Sequence, residues 1–136
     1  MMEKFLIFKT RDELIRIQID KILYFEADRN YTKLILSSGI QFVFSVNIGK
    51  IEEILAKQIQ SYSNVLLRVG KSHIINKMHI LQINIPKTKL VFTGLDGKAK
   101  ELIVPKEPLK VLKETLEKEF SAPKVDIKDE EMADEQ

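Results

Sequence analysis

Over short stretches of this chain apolar residues alternate with polar ones, the period of a strand with one buried face. The clearest case sets Ile15, Ile17 and Ile19 on one side against Leu14, Arg16 and Gln18 on the other. Runs rich in β-branched and aromatic residues occupy Phe5 to Phe8, Glu13 to Ile19, Ile22 to Glu26, Thr32 to Leu36 and Gln41 to Phe44. They resume after Asn64 in Val65 to Val69, His73 to Asn76, Ile80 to Ile85, Lys89 to Phe92 and Ala99 to Val104. Thr32, Leu34 and Leu36 share one row and Lys33 and Ile35 the other, and Ser37, Ser38 and Gly39 turn the chain into Gln41 to Phe44. Asp96 and Gly97 mark a second hairpin turn, between the last two runs. Two segments change period: Ile48, Ile51, Leu55 and Ile59 after the caps Ser45 or Asn47, and Leu109, Leu112, Leu116 and Phe120 after Pro108. Each predicts an amphipathic helix packed on a sheet. The expected fold is mainly β.

The apolar periodicity stops beyond Ala122 and Pro123, where charge takes over and a disordered tail is predicted. A chain of 136 residues, 44% of them hydrophobic, suits one domain with its own core. The expected division is therefore a domain over 1–120 and an acidic tail over 121–136. Charge sharpens that division. The formal net charge is +2, yet Ser121 to Gln136 holds two lysines against six carboxylates, which leaves +6 on the rest. A basic body suits a polyanionic partner, although many lysine-rich domains are merely well solvated.

Candidate chemistry is sparse. Cysteine is absent, so disulfides and thiol catalysis are excluded, and with His73 and His79 as the histidines a zinc site would lean on carboxylates. There is no Gly-x-Ser-x-Gly elbow, and Ser72 beside His73 would point to the opposite face of a strand. Gly94 to Gly97 lacks the spacing of a phosphate loop. Glu52 and Glu53 read as the solvated face of the first helix. No enzyme, cofactor or small-molecule substrate is expected. The apolar run Phe5 to Phe8 is too short for a signal-peptide core and no stretch reaches the length of a membrane span, so a cytoplasmic protein is expected.

One segment stands apart. Arg68-Val69-Gly70-Lys71-Ser72-His73-Ile74-Ile75-Asn76-Lys77 places basic and small polar groups around a glycine and then returns to an apolar strand. It reads either as an ordinary basic strand connection or as a loop presenting Lys71 to a duplex, with Arg68 and Lys77 on phosphates at either side.

In order and content these segments resemble the LytTR DNA-binding domain. Ile22 to Ala27 followed by Asn30-Tyr31-Thr32 is similar to that family's early strand, acidic position and loop. The helix with Ile51, Glu52 and Leu55 stands where the family helix does. Leu67 to Asn76 follows most of the Arg-x-His-x-Ser-x-x-Val-Asn signature, and the likeness continues through Ile80 and Ile83 to Val104-Pro105-Lys106 and the closing helix. It covers roughly Phe5 to Phe120. The resemblance implies small antiparallel sheets with little helix, and binding of duplex DNA by loops set in successive major grooves. It implies groove-facing side chains at Thr32, Lys71 and Lys106, with Arg29, Asn30, Lys33 and Arg68 on phosphates or in support. The implied partner is double-stranded DNA, with a homodimer on repeated sites as a further expectation.

Two departures from the pattern carry weight. Gly70 stands where the family usually has histidine, and Lys71 and Lys106 stand where arginine is common, which removes the bidentate fork and weakens base discrimination. Ser72 and Asn76 are short polar residues of the kind that satisfy turn backbone groups. Three functions are weighed. A transcription regulator ranks first and a protein-interaction module that has lost specific reading second. Binding of RNA or single strands ranks third, because Tyr31 is its one aromatic candidate in a contact loop. The chain starts almost directly at the first strand, so no receiver domain is expected within it.

Overall fold

The computed structural model describes residues 5–94, 97–119 and 124–127. Among them are ten strands and two α-helices. Strands β1 (Phe5–Lys9) and β2 (Leu14–Gln18) form an antiparallel ribbon. Strands β3 (Ile22–Asp28), β4 (Tyr31–Leu36), β5 (Gln41–Phe44), β6 (Leu66–Val69) and β7 (His73–Asn76) make a five-stranded antiparallel sheet in the order β5-β4-β3-β7-β6. Strands β8 (Ile80–Asn84), β9 (Lys89–Thr93) and β10 (Ala99–Ile103) form the third sheet, in the order β10-β9-β8. Helix α1 (Ile48–Gln58) leads from β5 to β6, and α2 (Lys106–Glu119) follows β10.

Each expected run contains a strand, and the expected mainly β fold of small antiparallel sheets with two amphipathic helices is what the structure shows. Boundaries differ where local hydrogen bonding takes over. Glu13 falls outside β2 because its carbonyl accepts the Thr10 amide at 2.9 Å and closes the β1–β2 turn. Ile19 begins a 3-10 turn over Ile19–Lys21 yet remains buried. Of the two expected caps, Asn47 serves α1: its Oδ1 accepts the Lys50 amide at 2.9 Å. Helix α2 begins at Lys106 and takes Pro108 into its first turn, where a missing N–H costs no helical bond. Phe120 and Asp96, expected in the second helix and the last hairpin turn, lie outside the described residues.

The central sheet is covered on both faces. On one side Phe25, Leu34 and Ile74 pack with Leu6 and Ile17 of the ribbon and Ile51 and Leu55 of α1. On the other, Tyr24, Ile35 and Ile75 pack with Leu90 and Phe92 of β9, Leu102 of β10, and Leu109 and Leu112 of α2. Neighbours along β3 and β4 thus alternate between two cores rather than between core and solvent.

Asn76 joins these layers at the end of β7. It is fully buried; its Nδ2 donates to the Ile22 carbonyl at 2.9 Å and its Oδ1 accepts the Met78 amide at 2.9 Å. This is the fold role its residue type suggested. Asn76→Ala strands both backbone groups in the interior, and chemical denaturation should show a loss of about 1–3 kcal/mol. Tyr24 adds a pH dependence. Burial, reinforced by the Glu26 carboxylate, pushes its phenol above the ordinary tyrosine range. The folded state then holds a proton that the unfolded chain has released, so stability present below about pH 10 is lost as pH rises through the folded value. A denaturation series across that range should show a shallower alkaline decline in Tyr24→Phe.

Candidate nucleic-acid interface

The β3–β4 turn closes between Asp28 and Tyr31 and exposes Arg29 and Asn30. Arg29 takes a left-handed φ of 59°, a geometry usual in turns and unusual for a long side chain. Next to it in space lies the β6–β7 turn. Glu26 pairs with His73, and beyond that pair the Ala27 amide donates to the Ser72 carbonyl at 2.7 Å. The turn residues Gly70, Lys71 and Ser72 are therefore held beside the end of β3, and Lys71 and Ser72 are exposed.

Arg68 builds that central turn. Its Nε donates to the Gly70 carbonyl at 3.1 Å and one terminal nitrogen to the Lys71 carbonyl at 2.8 Å, while the other pairs with Glu52 of α1. Gly70 adopts a left-handed φ of 63°, and a Cβ there would lie 3.1 Å from Cγ of Pro108. This close approach brings the turn against the N-terminus of α2, where Lys106 is exposed. The β8–β9 turn arrives from the other side: the Val104 amide donates to the Thr88 carbonyl at 3.0 Å, which sets exposed Lys87 close to Pro105 and Lys106.

Three turns and a helix start thus gather cations at one end of the molecule. Nearby carboxylates are already engaged: Glu26 lies 3.0 Å from His73 Nε2, Glu52 pairs with Arg68, Asp28 lies 3.6 Å from Lys33, and Glu107 lies 3.3 Å from Lys110. Among the described residues Arg29, Lys71, Lys87 and Lys106 have no carboxylate partner. Such unpaired cations on a common rim make a field suited to a polyanion. Ser72 is exposed while His73 is buried against Glu26, and no cluster of metal-ligating side chains occurs among the described residues.

Of the residues expected at the interface, Arg29, Asn30, Lys71 and Lys106 are exposed at this end, and Lys33 lies half-buried beside Asp28. Two expectations, Thr32 and Lys77, need correction, and a third, Arg68, narrows to its supporting alternative. Thr32 is fully buried and its Oγ1 donates to the Val46 carbonyl at 2.8 Å, so it anchors the entry to α1 rather than facing a groove. Its row along β4 is that of Leu34, which points into the α1 core. Arg68 has its whole guanidinium committed to the turn and to Glu52, which leaves it in support. Lys77, expected on a phosphate, pairs instead with Glu119 at 2.9 Å. Lys87 was missed, and the signal available was the Pro86-Lys87 pair between two strand runs.

The fold is mainly β, and its turns present exposed cations at one end. The family model of the LytTr DNA-binding domain matches residues 12–117, and the chain belongs to this LytTR family. The family is one of DNA-binding domains, not of enzymes, and DNA binding is its function class. A solved LytTr DNA-binding domain from Bacillus cereus, part of a protein described as a methyl-accepting/DNA response regulator, is similar in fold. It is 17% identical, with a TM-score of 0.57 over 85% of this chain and 98% of that one. Comparison with curated proteins finds no match. Among the described residues no helix is long and apolar enough to cross a membrane.

The Gly70 geometry gives a direct test. Gly70→Ala should lower stability by about 1–2 kcal/mol through left-handed strain, with a further loss from the contact with Pro108. Pro108→Ala in the same chain should recover the contact part alone, as thermal denaturation of the single and double variants would show.

Proposed function

We propose that this domain binds double-stranded DNA sequence-specifically, as a cytoplasmic transcription regulator, by setting its turns into the major groove. One observation carries the reading: Gly70 packs against Pro108, which places the Lys71 turn beside Lys106 on a rim where neither ammonium has a carboxylate partner among the described residues. Lys71 and Lys106 serve as the groove-facing side chains. Arg29, Asn30 and Lys87 flank them on the phosphates, and Lys33 joins when its exposed pair with Asp28 opens, a pair worth little in water. Arg68 holds the central turn in shape. The domain spans 1–120, and binding as a homodimer on repeated sites fits a single compact rim that reaches only a short stretch of duplex.

Lysine in place of the arginine common in the family shifts the balance between affinity and discrimination. An ammonium contacts guanine or phosphate as a point charge, so electrostatic affinity persists while base selectivity falls. Lys71→Ala and Lys106→Ala should each weaken duplex binding by about 1–3 kcal/mol where a base is touched, or cut the salt slope by about one unit where a phosphate is. Lys113→Ala, whose ammonium lies 3.2 Å from Glu117 on the outer face of α2, should leave binding unchanged. Fluorescence anisotropy titrations across a salt series would measure all three, and equal effects would refute the assignment. Retention of the fold with no duplex binding would favour the interaction-module reading.

A further inference from the structure

Strand β6 is an edge of the central sheet, and along it runs a groove of about 420 Å³. Pro108, Val111 and Leu112 of α2 give it an apolar strip between Glu107 and Thr115, and the edge strand lines the opposite side. Val111 is 63% exposed, a large apolar side chain open to solvent on α2. An open edge of this kind offers unpaired backbone donors and acceptors to an added strand.

The chain's own tail begins at the mouth of this groove. Lys77 donates its amide to the Val65 carbonyl at 3.0 Å and pairs through Nζ with Glu119 at 2.9 Å, so α2 ends beside the start of β6. Five residues after Glu119 comes Lys124-Val125-Asp126-Ile127-Lys128, which alternates apolar and charged positions. As a strand it would turn Val125 and Ile127 to one face, toward the apolar strip of Pro108, Val111 and Leu112, and Lys124, Asp126 and Lys128 to the other. Val125 and Ile127 are 85% and 52% exposed where the structure describes them. The acidic run from Asp129 to Glu135 follows directly. A strand running along β6 from Leu66 to Val69 would deliver that run to Lys71 and Lys106.

We infer that the tail docks its 124–128 segment as an added parallel strand in the β6–α2 groove and thereby lays its carboxylates on the cationic rim, where they compete with DNA. In the described conformation Val125 and Ile127 are exposed and do not line the groove. The inhibitory half of this inference rests on the DNA-binding reading above, while the docking half stands independently of it.

The full chain bearing Val125→Asp and Ile127→Asp separates docking from simple charge. Two added carboxylates alone lower affinity for a duplex, whereas release of a tethered competitor raises it, on the order of several-fold to tenfold at millimolar effective concentration. A rise supports the inference and a fall overturns it. A nitroxide placed by Lys128→Cys, in a chain with no native cysteine, reads docking without DNA. Relaxation of the Leu67, Val69 and Val111 amides should be strong and should vanish in the double-aspartate background; relaxation equal in both backgrounds overturns the docking. If no duplex binds at all, the DNA-binding reading fails, and the nitroxide measurement alone still decides whether the groove holds the tail.

Discussion

Burial of the central sheet on both faces is the constraint from which the rest of this molecule follows. β3, β4 and β7 carry Phe25, Leu34 and Ile74 toward the ribbon and α1, and Tyr24, Ile35 and Ile75 toward β9, β10 and α2. Neither face is left for a ligand. What remains accessible is the sheet's rim, meaning its turns and its edge strands, and the proposed DNA contacts fall on turn residues there. The same packing makes those turns rigid. Arg68 ties two turn carbonyls to Glu52 of α1, and Gly70 seats the turn on Pro108 of α2, so both covering helices help fix where Lys71 stands.

Gly70 shows how one residue can serve backbone geometry at the expense of a side-chain contact. The family usually places histidine there. In this chain the position combines a left-handed φ with an approach to Pro108 that leaves little room for a Cβ. Glycine at this position is thereby tied to close packing of the turn on α2, and the proposed contacts fall to the lysines beside it. Affinity at such a rim is dominated by phosphate neutralisation and is strongly salt-dependent.

Much of the fold was legible because its strands are short and regularly patterned, and the Asn47 cap and both helix periods are strong local signals. The double burial of β3 was not, since Ile22 to Phe25 is a continuous apolar run whose two faces become distinguishable only with the covering layers in place. The rim was partly legible. Lys71 was visible as a basic residue beside a turn-forming glycine and Lys106 followed from the family resemblance, whereas Thr32 was placed outside although its shared row with Leu34 already pointed inward. Lys77 was misread, and Arg68 was left between phosphate and support, because their partners, Glu119 and Glu52, lie 42 and 16 residues away in sequence. Lys87 escaped because its closeness to Lys106 depends on a hydrogen bond between Val104 and Thr88, a contact that composition and period do not encode.

The central claim is that this rim reads duplex DNA by sequence. The most direct test is selection of duplexes from a random pool by the purified full chain at near-physiological salt, followed by sequencing of the retained molecules. The account predicts enrichment of one motif, repeated at a spacing near a helical turn. Retention of duplexes with no enriched motif would contradict it, reducing the cationic rim to nonspecific attraction.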